Sequence, residues 1–166
     1  MPRARTERLM EWDCSHPIEA LLPHARPMIL IDRALSADPR HIETELTVRP
    51  GTPFFEPGKG IAAHVAIEWM AQTCAAYVGL EALMAGQPVR IGFLLGTRNF
   101  TATQPWFAAG ETYCVRATVA FRDGETGVFD CVVRRGDVEV VRAQLTLHQP
   151  NDIHAVLASQ GIELKR

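Results

Sequence analysis

The sequence predicts an α+β domain in which an antiparallel, six-stranded curved sheet wraps one long central helix. Three observations predict it. Segments on both sides of the chain's middle alternate apolar and polar residues, as half-buried strands do. Between them lies one segment too apolar to sit on a surface. Turn-type dipeptides, Asp123-Gly124 and Gly136-Asp137, join the later strands directly. The length of 166 residues fits one domain of about 150 residues with short extensions. Residues 1–16 are polar and irregular and are expected to form an N-terminal arm, with 17–166 as the single folded domain.

Each element follows from local pattern. Ile18 to His24 reads as a short helical turn stopped by Pro23. Met28-Ile29-Leu30-Ile31 is a compact apolar run expected to be a buried strand. Ile42, Leu46 and Val48 alternate with Glu43, Glu45 and Thr47 and predict the second strand. Pro50 to Gly60, with three prolines and three glycines, reads as a loop. Residues 61–85 hold 19 apolar residues, eight of them alanine, and end at Gly86 and Pro88, which predicts a helix about 36 Å long. A helix apolar nearly all round must be covered by other parts of the protein or lie in a membrane. His64, Glu68 and Gln72 interrupt it and argue against the membrane. Strand patterns return at Ile91–Leu95, at Val115 to Phe121, at Phe129 to Val133 and at Val141 to Leu147. Asp152 is placed to cap a closing helix that ends at Gly161. Two strands, a long helix and about four antiparallel strands pack economically when the sheet curls around the helix, which is the hotdog fold. An edge strand of that sheet is free to pair with a second subunit.

Composition narrows the function. Seventeen Lys+Arg stand against 19 Asp+Glu, a net charge of -2, so no basic excess exists to neutralise a nucleic-acid backbone. No run approaches the roughly 18 apolar residues of a membrane span. The four cysteines, Cys14, Cys74, Cys114 and Cys131, include no C-x-x-C spacing and are expected to be free thiols of a cytoplasmic protein. The commonest serine-hydrolase, zincin and nucleotide-hydrolase signatures are absent from the sequence.

Chemistry concentrates on the apolar helix. His64, Glu68 and Gln72 are spaced i, i+4, i+8, which places them one turn apart on one face. A carboxylate in such surroundings needs a partner and suits general acid or base work. Gln72 has an amide to hold Glu68, and His64 is a proton-exchanging neighbour. The His64/Glu68 spacing supplies two metal ligands and no third, so no metal is expected. Ahead of the helix, Gly58, Gly60 and Ile61 would let a substrate carbonyl approach backbone amides at the helix N-terminus. An ordinary tight turn and a structural Glu68–His64 pair remain open alternatives.

Leu22-Pro23-His24-Ala25-Arg26-Pro27-Met28-Ile29-Leu30-Ile31-Asp32-Arg33 resembles the opening L-P-H-R-x-P-x-L-L-V-D-R of the β-hydroxyacyl-(acyl-carrier-protein) dehydratases. Pro53-Phe54-Phe55 resembles the P-F-F after their second strand, and Ile67-Glu68-Trp69-Met70-Ala71-Gln72 resembles their helical L-E-A-M-A-Q. The segment Arg90 to Arg98 looks like the dehydratases of aryl-polyene biosynthesis clusters. The resemblance spans about residues 18–148. It implies a hotdog dimer with interfacial active sites that dehydrates 3-hydroxyacyl chains on the phosphopantetheine of an acyl carrier protein, without a cofactor. It implies that Glu68 is the helix carboxylate and Gln72 the amide that orients it. One departure stands out. The family's loop histidine, within G-H-F-P, has no counterpart in Phe55-Glu56-Pro57-Gly58-Lys59-Gly60. His64 is then the expected base beside the acid Glu68, and His24, inside the opening motif, is expected to be structural. The missing histidine keeps two further readings open: an acyl-thioesterase using Glu68 alone, and a non-catalytic acyl-binding subunit of a hotdog heterodimer.

Overall fold

Residues 10–162 are described by the structure, a computed structural model of the chain. The alternating segments become strands β1 (Arg33–Ala37), β2 (His41–Thr47), β5 (Phe93–Ala102), β7 (Thr112–Asp123), β8 (Thr126–Arg135) and β9 (Val138–His148). They form one antiparallel sheet of six strands in the order β1-β2-β7-β8-β9-β5. Register follows from the alternation. Val115 opposes Val133 and Ala117 opposes Cys131, while Cys131 opposes Ala143 and Phe129 opposes Leu145. All of these are buried, on the face that curls around the long helix α2 (Ala66–Met84). The two hairpin turns depend on glycine: Gly124 and Gly136 have φ of 56° and 57°, which two-residue loops of this hand require. This is the hotdog fold.

The helix packs through Trp69, Met70, Ala76, Tyr77 and Leu80, all nearly inaccessible. Trp69 meets Phe107 at 4.8 Å and Tyr113 at 5.8 Å between ring centroids. Thr73 donates to the carbonyl of Trp69 and shares a 2.8 Å hydroxyl contact with Thr44, so both buried hydroxyls are satisfied. On its other flank α2 meets the short helix α1 (Ile18–Leu21) at Gly79, where an added Cβ would lie 1.9 Å from the Leu21 carbonyl oxygen. The closing helix α3 (Ile153–Ser159) is capped as expected, the Asp152 side chain accepting from the amide of Ala155 at 3.0 Å.

Three expectations are corrected. Met28–Ile31 is not a strand; it is irregular chain in which the Met28 carbonyl and the Leu30 amide pair with the Gln72 side chain of α2, and the first strand begins at Arg33. The apolar run 61–85 is not one helix. It opens with strand β4 (Gly60–Ala62) and a 3₁₀ turn (Ala63–Val65), and α2 has 19 residues, about 28 Å at 1.5 Å per residue. A second, three-stranded sheet, β3 (Phe55–Glu56), β4 and β6 (Trp106–Phe107), was not foreseen. Gly60 belongs to it: φ is 102°, and a Cβ would sit 2.0 Å from the carbonyl oxygen of Phe107. Of the expected N-terminal arm, residues 1–9 lie outside the described residues. Within 10–16, the amide of Trp12 donates to Ala37 and its ring stacks on Tyr77 at 5.1 Å.

Among the described residues no helix is long and apolar enough to cross a membrane. All four cysteines are free. Cys74 and Cys131 touch at 3.8 Å between sulfurs, and burial pushes the Cys74 thiol far above its ordinary range. Burial, reinforced by Glu43 and Glu45, pushes Cys114 up to about 11.

Candidate active site

The side of α2 turned away from its packed core is not covered. Glu68, Ala71, Ala75 and Val78 line it and form one wall of a cavity of about 200 Å³. Gly92, Leu94, Phe129 and Leu147 supply apolar surface opposite, from the ends of β5, β8 and β9 and the segment before β5. Small residues on the helix leave this space open, and Glu68 marks one end of the polar lining.

Glu68 is held from its own helix. One turn on, the buried Gln72 donates from Nε2 to Glu68 Oε1 at 3.0 Å. The same nitrogen donates to the carbonyl of Met28 at 2.7 Å, and Gln72 Oε1 accepts from the amide of Leu30 at 2.8 Å. One amide therefore fixes the carboxylate rotamer and ties the 28–30 segment to the helix. That is why an apolar run with strand composition needs no strand neighbour at these two groups. The segment carries His24 to the cavity, where His24 Nε2 stands 3.7 Å from Glu68 Oε1.

His64, the expected base, is placed differently. It sits on the 3₁₀ turn ahead of α2, exposed, and neither lines the cavity nor pairs with Glu68 among the described residues. The tighter turn breaks the i, i+4 relation that a continuous helix would give. Gly58 lies exposed in the β3–β4 turn, and Gly60 and Ile61 are buried in β4. None of the three lines the cavity or sits at the start of α2, which begins at Ala66. The structure thus brings together Glu68 and Gln72 and adds His24. The signal for His24 was its place in the L-P-H-A-R-P motif. The end of the longer opening segment Leu22–Arg33 makes structural contacts: Asp32 accepts from the Thr47 amide at 2.9 Å and pairs with Arg49, and Arg33 pairs with Glu45.

The cavity lining also includes polar residues away from α2, among them Arg90, Glu125, His148 and Asn151. Arg90 donates to Asn151 at 3.0 Å, and His148 stands 3.8 Å from Glu125. Arg122 makes two bonds to Glu81 at 2.8 and 2.9 Å, which hold its guanidinium ionisation above an already high value.

Residues 16–158 match the family described as ApeP-like, ApeP dehydratase. The chain belongs to the ApeP-like dehydratase family. Solved structures agree on the fold. A chain of the dehydratase heterocomplex ApeI:P from Xenorhabdus doucetiae superposes with a TM-score of 0.81 at 24% identity, covering 87% of this chain and 97% of that one. An uncharacterised protein of Pyrococcus horikoshii gives 0.58 at 14% identity over 82% and 96%. The PaaI protein of the E. coli phenylacetic acid degradation operon gives 0.54 at 16% over 69% and 80%. No curated protein matches the chain in sequence.

Proposed function

We propose that this chain dehydrates 3-hydroxyacyl thioesters delivered on the phosphopantetheine of an acyl carrier protein, in a fatty-acid-like or aryl-polyene pathway. The observation that carries the reading is the Glu68 carboxylate, clamped by Gln72 at 3.0 Å, on the wall of a cavity that also presents apolar surface from Ala75, Val78, Leu94, Phe129 and Leu147. In the reaction C2 loses a proton and C3 loses its hydroxyl as water, leaving a double bond conjugated to the thioester. Glu68 is the acid–base group for that transfer, and the cavity receives the acyl chain. No bound group other than substrate is required.

We also propose that the working form pairs this chain with a second hotdog subunit, either another copy or a related chain. The likeness to a subunit of a dehydratase heterocomplex supports this reading. So does β5, an edge strand of the main sheet with Leu94 and Leu95 exposed at 40% and 61%. In such a pair the missing loop histidine can be supplied by the partner. The test is Glu68→Gln, assayed alone and with the subunit that co-purifies, on a 3-hydroxyoctanoyl carrier protein. A loss of at least about 100-fold in enoyl product is expected. Full turnover by the variant sinks the assignment, and turnover that needs the co-purifying subunit and is undiminished by Glu68→Gln leaves the non-catalytic acyl-binding reading. Release of free thiol in place of enoyl product would mark a thioesterase.

A further inference from the structure

The opening-motif histidine stands beside the reacting carboxylate, and its two nitrogens have unlike surroundings. Nε2 faces Glu68 Oε1 at 3.7 Å. Nδ1 is buried and has no hydrogen-bond partner. Three protonation forms are available to the ring. With the proton on Nδ1, a buried N–H lacks an acceptor, which is unfavourable, and the Nε2 lone pair faces a carboxylate oxygen. The doubly protonated ring keeps the same orphaned N–H. With the proton on Nε2, the ring aims its one donor at Glu68 and leaves only a bare lone pair buried.

Oxygen usage on Glu68 points the same way. Gln72 Nε2 and His24 Nε2 converge on Oε1. Among the described residues Oε2 has no hydrogen-bond partner, so it is the oxygen left to meet substrate. A histidine that took the C2 proton itself would need Nε2 bare and would put its own proton on the orphaned Nδ1.

We infer that His24 is a positioning residue: a neutral imidazole with its proton on Nε2, which donates to Glu68 Oε1 and turns Oε2 toward the substrate, and which does not act as the base. This rests on the dehydratase reading of Glu68. The 3.7 Å separation is long for a hydrogen bond, and closure on substrate is expected to shorten it. Gln72 anchors both ends of the arrangement, since it holds Glu68 directly and, through Met28 and Leu30, the segment that carries His24.

Two measurements test it. Long-range ¹H–¹⁵N spectra of the ¹⁵N-histidine-labelled wild-type chain, alone and in its complex, should show His24 as the neutral Nε2–H tautomer at neutral pH. An Nδ1–H tautomer or an imidazolium overturns the inference, and this reading needs no catalysis. In the dehydratase assay, His24→Gln keeps an N–H donor of similar reach and should stay within about tenfold of wild type, whereas His24→Phe should lose on the order of 100-fold in kcat. Gln as inactive as Phe makes His24 a base or acid, and Phe at wild-type rate makes it a spectator; either overturns the role. Glu68→Gln run beside them separates the failures, because a fully active Glu68→Gln removes the dehydratase reading while the tautomer spectrum still decides His24.

Discussion

The two sides of α2 obey different rules. On the packed side the buried polar groups have partners: Thr73 meets Thr44, the Tyr77 hydroxyl donates to the Pro39 carbonyl at 3.0 Å, and Tyr113 donates to Glu111. The apolar neighbours there are large and interlocked, with Trp69, Phe107 and Tyr113 each against the other two. On the cavity side the residues are small and half-exposed, and polar atoms are left over. Glu68 Oε2 is unpartnered among the described residues, and His24 Nδ1 is buried and unpaired. A side built only for stability closes its polar accounts. Leftover donors and acceptors beside open space belong to a surface built for another molecule.

The largest expected effect lies on the packed side. Trp69→Ala should cost about 3–5 kcal/mol and lower the melting temperature by on the order of 10 °C, measured by calorimetry. A loss below 1 kcal/mol would mean that the aromatic cluster is not the keystone of that side. The mirror experiment is Ala75→Phe on the cavity wall. It should change stability by less than about 1 kcal/mol, because Ala75 faces open space. It should raise KM for a 3-hydroxyacyl thioester by about tenfold or more, since the ring occupies the acyl path. A destabilised variant with unchanged KM would erase the distinction between the two sides.

How much of this was legible in the sequence follows from range. Hairpins such as β7–β8 and β8–β9 were legible because alternation and a Gly turn are local signals. So was the Glu68–Gln72 clamp, one helical turn long. The start of α2 was not, since Ile61-Ala62-Ala63 has the same composition as the helix beyond it. Only the pairing of β4 with β6, set 46 residues away at Ile61 and Phe107, shows that it is strand. Met28–Ile31 looked like a strand because apolar composition says that a segment is buried and not what pairs with its backbone; Gln72 does. His24 and Glu68 are brought together by that same long-range tie. Spacing along the helix favoured His64 instead, and a 3₁₀ turn took it out of reach.

The smallest effect is the sharpest check on the packed side. Glu111 accepts from the Tyr113 hydroxyl and from Arg135 at 2.6 Å. The Tyr113 bond, with Arg135 adding to it, holds the Glu111 carboxyl below its ordinary range, while burial and then Glu111 push the Tyr113 phenol up. A carboxyl that titrates lower in the folded state than in the unfolded one stabilises the fold fully above the unfolded value, about 4.3, and loses that contribution as pH falls through the folded value. Glu111→Gln should therefore cost about 1 kcal/mol at pH 7, because a charge-assisted bond becomes a neutral one. The difference from wild type should shrink as the pH falls below the unfolded value, about 4.3, and on through the lower folded value, beneath which both side chains are uncharged. Thermal unfolding of the pair from pH 7 to pH 3 reads it directly. A gap that stays constant across the series would place the stabilisation in shape and not in charge. The packed side would then be satisfied sterically, and the contrast with the open side would rest on its hydroxyl pairs alone.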